Sequence, residues 1–182
     1  PSAHLYPLSA LIERRKKSEP VAYILGEKEF YGLRFFVEPG VLIPRPDTEL
    51  LVEKAAELIH KINPQKILDL GVGSGCVSIT LAQIFPDLPV TGWDISEVAL
   101  RVAQKNAAEN KIHNVSFLKK DGLNPSSFVD HSFGLIVSNP PYIGFAEKKD
   151  LASEVIDYEP LEALFAEEEG LCFYRTIAEY AK

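Results

Sequence analysis

A short segment with two adjacent prolines, Asn139-Pro140-Pro141-Tyr142, follows an apolar run that is typical of a β-strand. The prolines supply carbonyl oxygens but no N–H groups, and the Asn139 side chain adds one more carbonyl oxygen. This segment can therefore form a rigid edge of hydrogen-bond acceptors. A planar –NH2 group carries two donors, and such an edge can accept both of them.

These acceptors could act on a nitrogen that is a poor nucleophile because its lone pair is delocalised. Two fixed acceptors can turn the lone pair of an amide or arylamine toward an electrophile, and they stabilise positive charge developing on the nitrogen. We predict catalytic roles for Asn139, Pro140 and Tyr142. The predicted substrate contacts are Asn139, Pro140, Pro141 and Tyr142. Taken alone, the segment could equally be a turn that ends a strand.

A glycine-rich turn stands earlier in the chain, where Gly71, Gly73 and Gly75 follow an apolar strand and precede a helix. Glycines permit a tight turn and a close approach of ligand to backbone, and the helix that follows offers free N–H groups. Asp69 ends the first strand and Asp94 ends the next, where a carboxylate can accept from both hydroxyls of a ribose. The pattern is close to the dinucleotide fingerprint G-x-G-x-x-G, but its third glycine comes one residue early.

The early glycine and the acid before the loop resemble the D-x-G-x-G-x-G signature of class I S-adenosylmethionine-dependent methyltransferases. This resemblance implies S-adenosyl-L-methionine as the cofactor. The implied cofactor contacts are Asp69, Gly71, Val72, Gly73, Ser74, Gly75, Asp94, Asp121, Gly122 and Asn139. Asp121 would read the adenine amino group, or it could only cap a turn. The reaction at the –NH2 group would then be methyl transfer.

The elements that must position these residues alternate regularly. A helix is predicted over 6–17, a β-hairpin or small strand pair within 19–46, and a further helix with Asp47 as its N-cap. Four apolar strands, KILDL, PVTGWD, VSFLKK and FGLIVSN, then alternate with helices, one of them capped by Ser96. This order predicts an α/β fold with a Rossmann-like parallel sheet. Ligands bind at the carboxyl ends of such strands, where the glycine loop, Asp94 and the NPPY segment would meet.

The composition narrows the class of function. The 182 residues carry a net charge of −7, so the chain has no overall basic field for gripping a phosphate backbone. Two distant cysteines and four histidines show no ligand spacing, so no metal is predicted. No apolar run is long enough to span a membrane and no signal-peptide pattern is visible, so a cytoplasmic location is expected.

Two segments outside the NPPY motif resemble a narrower family. GVLIPRPDTELLVE, preceded by EPVAYILGEKEFYG, is similar to part of the release-factor glutamine-N5 methyltransferases, as is DYEPLEAL with the following AEEEGLCFYRTIA. The resemblance covers about residues 11–182. It implies that the substrate is the glutamine of the Gly-Gly-Gln loop of class I peptide chain release factors. The family often has threonine where Val72 and Ser74 stand, and an aromatic residue at Gly122.

The same resemblance implies a domain organisation. Residues 1–19 would be the remnant of a helical N-terminal domain, 20–45 a β-hairpin linker, and 46–182 the methyltransferase domain. Because only four strands are visible, we expect the C-terminal strands of the sheet to be missing from this chain. The role of Arg45 stays open between pairing with a nearby acid and covering the cofactor pocket.

Two other functions remain. The NPPY motif also occurs in DNA adenine-N6 and rRNA guanine-N2 methyltransferases, but no basic surface or target-recognition domain is visible here. We therefore expect a protein partner and no direct binding of nucleic acid. A noncatalytic protein-binding domain is the third hypothesis, and the presence of Asn139 with an intact glycine loop speaks against it.

Overall fold

The computed structural model describes residues 7–128 and 133–180. The helices in this part of the chain are α1 (Leu8–Lys16), α2 (Val21–Leu25), α3 (Thr48–Ile62), α4 (Cys76–Ile84), α5 (Glu97–Glu109), α6 (Ser153–Ile156) and α7 (Cys172–Tyr180). The strands are β1 (Glu27–Phe30), β2 (Leu33–Phe36), β3 (Ile67–Leu70), β4 (Val90–Asp94), β5 (Val115–Lys119) and β6 (Leu135–Ser138). Among the described residues, no helix combines the length and apolar character needed to cross a membrane.

The predicted parallel sheet is confirmed, with the strand order β5–β4–β3–β6. Leu68 of β3 lies opposite Thr91 of β4 on one side and Ile136 of β6 on the other. All four residues of β3 are buried, which explains why this strand is apolar apart from Asp69. The chain moves outward from β3 to β4 and β5, and then returns to place β6 on the opposite side of β3. A crevice for ligands opens where the order reverses, between the ends of β3 and β6.

The N-terminal part differs from the prediction by one helix. The hairpin is formed by β1 and β2, but the residues before it fold as α2 although they are rich in β-branched and aromatic types. Tertiary packing overrides that local preference. Tyr23 of α2 is buried against Val37 and Ile43, and its hydroxyl donates to the carbonyl oxygen of Val41 at 2.6 Å. The helix thus anchors the chain that leaves the hairpin.

The two predicted helix caps behave differently. Ser96 caps α5 as predicted, and its hydroxyl oxygen accepts from the Ala99 N–H at 3.3 Å. Asp47 does precede α3, but its side chain makes no capping hydrogen bond, because its own backbone is already helical. The N-terminus of α3 begins with the buried Thr48, whose hydroxyl serves a different partner described below.

Candidate active site

A cavity of about 350 Å3 lies at the carboxyl edge of the parallel sheet, where small-molecule sites of this size are common in such folds. We call it the rim cavity. Its walls are residues 40–45 with Thr48, the glycine loop 69–74, the strand ends 93–96, 120–123 and 139–141, and Pro160, Glu162, Ala163 and Phe173. The fold therefore brings the glycine loop and the NPPY segment to one space.

The cofactor residues predicted from the sequence line the rim cavity, with the exception of Gly75. Gly75 faces the packed interior, where a Cβ would lie 2.8 Å from Ile79 Cδ1 and 3.2 Å from Ala103 Cβ. A glycine is needed at position 75 because the loop approaches α5 closely there. Gly71 and Gly73 differ, because a Cβ at either position would have no atom within 4 Å. The space beside their backbone is open to a ligand.

Asp94 connects the end of β4 to the glycine loop. Its carboxylate accepts from the Gly73 N–H at 2.9 Å through Oδ2 and from the Ser96 N–H at 2.9 Å through Oδ1. Burial raises the pKa of this carboxyl, and the negative charge of Glu162 across the cavity raises it further, while the backbone N–H groups lower it. The arrangement leaves a partly buried carboxylate on the cavity wall, where a ligand with hydroxyl groups can donate to it.

Asp69 lies in the cavity wall but is turned toward α4. Its carboxylate accepts from both the backbone N–H and the hydroxyl of Ser78, and it is almost completely buried. Burial raises the pKa of Asp69 to about 6, and the hydrogen bonds from Ser78 oppose this shift. Its contacts fasten the start of α4 beneath the glycine loop.

The end of β5 supplies Asp121 and Gly122. The carboxylate of Asp121 accepts from the Leu123 N–H at 2.9 Å, so the side chain does form the turn cap that was one of its two predicted roles. It also lines the rim cavity, which leaves the other role open. Gly122 is buried against Leu70, and a Cβ there would meet the end of that side chain.

The NPPY segment contributes Asn139, Pro140 and Pro141 to the cavity wall. The Asn139 Nδ2 group donates to the Thr48 hydroxyl at 3.2 Å, which leaves the amide Oδ1 available as an acceptor. In the part of the chain that the structure describes, no hydrogen bond reaches the carbonyl oxygens of Pro140 or Pro141. The predicted acceptor edge is therefore free to bind donors.

Tyr142 is not among the cavity-lining residues, and 57% of its surface is exposed. Its position is set by a later segment, because Ile143 exchanges backbone hydrogen bonds of 3.0 Å with Leu164 and Ala166. Gly170, in the left-handed conformation, sits so close that a Cβ would overlap the Tyr142 carbonyl oxygen. We call residues 164–170 the support segment, because they back the NPPY segment from outside the cavity.

Sequence reasoning missed three residues that build this site: Thr48, Asn106 and Glu159. Asn106 is fully buried in α5, and its amide binds both backbone groups of Phe36 and the Ser74 carbonyl. A signal was present, because Asn106 lies at helical spacing from the apolar Ala99 and Val102 and so occupies a core position. A polar residue at such a position has a buried partner as a rule.

Other chemistry is not supported by the described residues. They contain no group of three or more histidine, cysteine, aspartate or glutamate side chains that could hold a metal ion. Cys76 lines the rim cavity, but burial raises the pKa of its thiol to about 12, so the thiol stays protonated and is a weak nucleophile. The rim cavity instead offers the accessible backbone of the glycine loop, the Asp94 carboxylate as an acceptor for hydroxyl groups, and the acceptor edge at Asn139–Pro141.

These features fit a nucleoside-containing cofactor such as S-adenosylmethionine. The open backbone of Gly71 and Gly73 can accommodate its closely approaching parts, and Asp94 can accept from the ribose hydroxyls. The partly buried carboxylate of Asp94 suits a ligand with positive charge, because no cationic side chain pairs with it among the described residues. The cavity volume is within the range of small-molecule sites.

Known proteins match this chain in sequence. A release factor glutamine methyltransferase from Thermodesulfovibrio yellowstonii is 45% identical over 183 residues, covering 100% of this chain and 65% of that protein. Another, from Fusobacterium nucleatum, is 47% identical over 171 residues, covering 94% of this chain and 48% of that protein. The chain thus spans 65% and 48% of the lengths of these two relatives. The predicted resemblance to this family is confirmed.

A solved structure shares the fold at lower identity. The catalytic domain of hMettl16, solved in complex with MAT2A 3′UTR hairpin 1, matches with a TM-score of 0.62 at 16% identity, covering 88% of this chain and 60% of that chain. At this identity the likeness concerns the fold alone. The model of the family described as "Methyltransferase small domain" matches residues 45–163, which include the glycine loop and the NPPY segment. The chain belongs to the methyltransferase small domain family.

Proposed function

We propose that this chain carries the catalytic part of an enzyme that methylates a protein glutamine. The methyl group would pass from S-adenosylmethionine to the side-chain amide nitrogen, N5, of the glutamine in the Gly-Gly-Gln loop of class I peptide chain release factors. The observation that carries the proposal is the position of the Asn139–Pro141 acceptor edge on the wall of the rim cavity, beside the glycine loop. The names of the relatives support the choice of glutamine and of release factors. We place the reaction in the cytoplasm, where release factors act.

The glycine-loop side would hold the cofactor. Asp94 would accept from the ribose hydroxyls, the backbone at Gly71 and Gly73 would admit the cofactor closely, and Gly122 would border the adenine. When bound, S-adenosylmethionine supplies an electrophilic methyl carbon on a sulfonium. Asp69 would act from behind the loop, since its contacts with Ser78 keep α4 in place.

The acceptor edge would hold the substrate amide. The Oδ1 atom of Asn139 and the Pro140 carbonyl oxygen can accept the two hydrogens of the –NH2 group and so turn its lone pair into the cavity. Positive charge that grows on this nitrogen strengthens both hydrogen bonds, so the edge stabilises the transition state more than the ground state. Thr48 fixes the orientation of the Asn139 amide by accepting from its Nδ2 group.

The NPPY edge contains no group that takes up a proton at neutral pH. Asn139 and the two prolines act only as acceptors of hydrogen bonds. The methylated nitrogen would therefore keep its proton during the transfer and lose it to water afterwards. The contribution of the chain is alignment of the nitrogen, for which holding reactants about 3–3.5 Å apart supplies much of the rate enhancement.

The proposal is tested with the full-length protein, labelled S-adenosylmethionine and a class I release factor. We expect label to enter the release factor, and to be lost when the loop glutamine is replaced by glutamate, which has no –NH2 group. Equal labelling of the glutamate variant would overturn the proposed substrate. Calorimetry without release factor separately reports whether the cofactor binds.

A nucleic-acid amino methyltransferase is the competing function, because the same edge could bind an adenine or guanine amino group. The net charge of −7 disfavours it, since a basic surface dominates affinity for nucleic acid. Incubation with DNA or rRNA in place of release factor distinguishes the two. We expect no methyl transfer to either nucleic acid.

A further inference from the structure

We infer that Glu159 is a positioning residue, which holds the wall segment of the rim cavity formed by residues 43–45 against the bound cofactor. The inference rests on the proposed function, because it assigns this wall to the cofactor. Glu159 belongs to the DYEP segment, for which the sequence offered a resemblance but no role.

Glu159 is a buried carboxylate with two partners on the wall segment. Only 2% of its side chain is exposed. Its Oε2 atom accepts from the Ile43 N–H at 3.1 Å, and its Oε1 atom accepts from the guanidinium of Arg45 in an ion pair. A buried carboxylate without partners is strongly unfavourable, so both contacts favour a conformation in which the DYEP segment stays bound to residues 43–45.

Glu159 acts through its neighbours because it does not line the rim cavity. Ile43 and Arg45 do line it, as does Pro160, the next residue along the chain. The Glu159 carboxylate therefore lies behind the cavity wall and connects residues 43–45 with Pro160. A shift of residues 43–45 or of Pro160 would change the shape of the rim cavity.

The wall has open space behind it. A second cavity of about 620 Å3, which we call the side cavity, lies on the far side and is also lined by Ile43, Arg45 and Glu159. Its other walls come from α2, from β1 and from residues Glu154 and Val155 of α6. The ion pair is thus a partition between two cavities. Ile43 packs against Tyr23 and Val37, whereas the half-exposed Arg45 has cavity space on both sides, so its position depends on the contact with Glu159.

A second anchor acts just before the wall segment, at its N-terminal end. The buried hydroxyl of Tyr23 donates to the Val41 carbonyl oxygen, so this end is fastened to α2. Burial is the main reason that the pKa of Tyr23 is raised, and the phenol therefore remains a donor at neutral pH. With Val41 and Ile43 each fixed by a side chain, the chain is held at two points that are two residues apart. Removing Glu159 frees the end nearer to α3.

The test is calorimetric titration of S-adenosylmethionine into the full-length protein and its variants. Glu159→Gln keeps an acceptor for the Ile43 N–H but removes the ion pair, and we expect its Kd to rise about tenfold or more, since loss of a hydrogen bond between charged groups has effects of this size. Arg45→Gln should weaken binding to the same extent, and the double variant should be no worse than either single one. The matched control is Glu154→Gln, which removes a more exposed ion pair with Arg15 from the same stretch of chain.

The outcomes separate this inference from the proposed function. If the wild type does not bind the cofactor, the proposed function fails. If the wild type binds and Glu159→Gln binds equally well at a lowered midpoint of thermal unfolding, Glu159 is only structural and the inference is overturned. Additive losses in the double variant would also overturn it, because Arg45 would then contact the cofactor directly. Arg45→Gln, at a more exposed site, provides the comparison with the wild type if Glu159→Gln does not fold.

Discussion

The two sides of the rim cavity are built by different means. On the glycine-loop side, Asp94 and Asp69 bind backbone N–H groups within the stretch formed by β3, α4 and β4 and the start of α5, and the residues are mostly buried. The NPPY side is more exposed, and its shape depends on Thr48 and on the support segment, which are distant in sequence. A binding surface of backbone groups can be formed locally, whereas an edge of free acceptors must be held from elsewhere. The comparison predicts that changes on the first side affect cofactor affinity and changes on the second affect turnover.

The largest effect is expected from Asn139→Ala. Loss of one acceptor that acts in the transition state should lower kcat by about 10²–10³-fold. The affinity for S-adenosylmethionine should change little, because the glycine loop and Asp94 remain. Steady-state methylation of release factor and calorimetry measure the two quantities, with Asn110→Ala, directly after the end of α5, as the control. A fall in cofactor affinity as large as the fall in turnover would break the division between the two sides.

The pH dependence of stability tests how dry the glycine-loop side is. Because the pKa of Asp69 is about 6 in the folded protein, above its ordinary value of 3.8, the folded state binds this proton more tightly than the unfolded chain. The contribution of Asp69 to stability therefore falls as the pH rises from 3.8 to about 6 and is constant above that. As the pH rises from the lower to the upper limit, the unfolding free energy of Asp69→Asn should increase by about 3 kcal/mol relative to that of the wild type.

Urea unfolding of both proteins at about pH 4 and about pH 7 measures this gain, since linkage confines the effect to that window. Asp87→Asn, which alters an exposed carboxylate, is the control. A difference between Asp69→Asn and the wild type that is the same at both pH values would mean that the carboxylate is well solvated.

Asp94→Asn should have the opposite signature to Asn139→Ala. The amide keeps one acceptor oxygen but loses the negative charge. In the wild type this charge strengthens the hydrogen bonds that the carboxylate accepts from the Gly73 and Ser96 N–H groups, and it would strengthen those from ribose hydroxyls. We expect the affinity for S-adenosylmethionine to fall by about 10–100-fold. Turnover at saturating cofactor should fall much less. Glu97→Gln, at an exposed carboxylate of α5, serves as the control, and a Kd unchanged by Asp94→Asn would contradict the assigned role.

A smaller effect is expected from Gly170→Ala, compared with Gly32→Ala. Both glycines have positive φ, +88° and +74°, so Gly32→Ala should lose about 1–2 kcal/mol of stability and Gly170→Ala should lose more. Only at Gly170 would the new Cβ meet the Tyr142 carbonyl oxygen, whereas Gly32 has nothing within 4 Å. Gly170→Ala should therefore also lower kcat, by about tenfold, through displacement of the NPPY segment. Equal kcat values for the two variants would show that the support segment does not position the edge.

The sequence was most informative where structure is local. Hydrophobic runs of four or five residues predicted the four parallel strands. Because ligands bind at the carboxyl ends of such strands, the sequence also predicted that Asp94 and Asn139 line one site, and both line the rim cavity. The glycine loop could be recognised because its requirements are met within a few residues. The predicted roles of these residues, and the domain boundaries at residues 19 and 45, stay predictions.

Contacts between distant segments could not be predicted. Thr48 binds a residue 91 positions later, and Glu159 binds one 116 positions earlier, and no periodicity connects such pairs. The placement of Gly75 in the packing interface and of Tyr142 outside the cavity depends on how α5 and the support segment approach. Helix α2 was missed for the same reason, because the buried contacts of Tyr23 decide its conformation.

The amide group of Asn106 has a consequence for the exchange of backbone protons with solvent. The Phe36 amide proton is held by Asn106 Oδ1 at 2.7 Å, and the same side chain donates to the Ser74 carbonyl oxygen at 2.8 Å. The Asn106 amide therefore joins the hairpin and the glycine loop through one buried side chain. Opening of the two should therefore be one cooperative event, and their protected amides should share a single opening free energy. In this sense the hairpin and the loop form one foldon, although nearly forty residues lie between them.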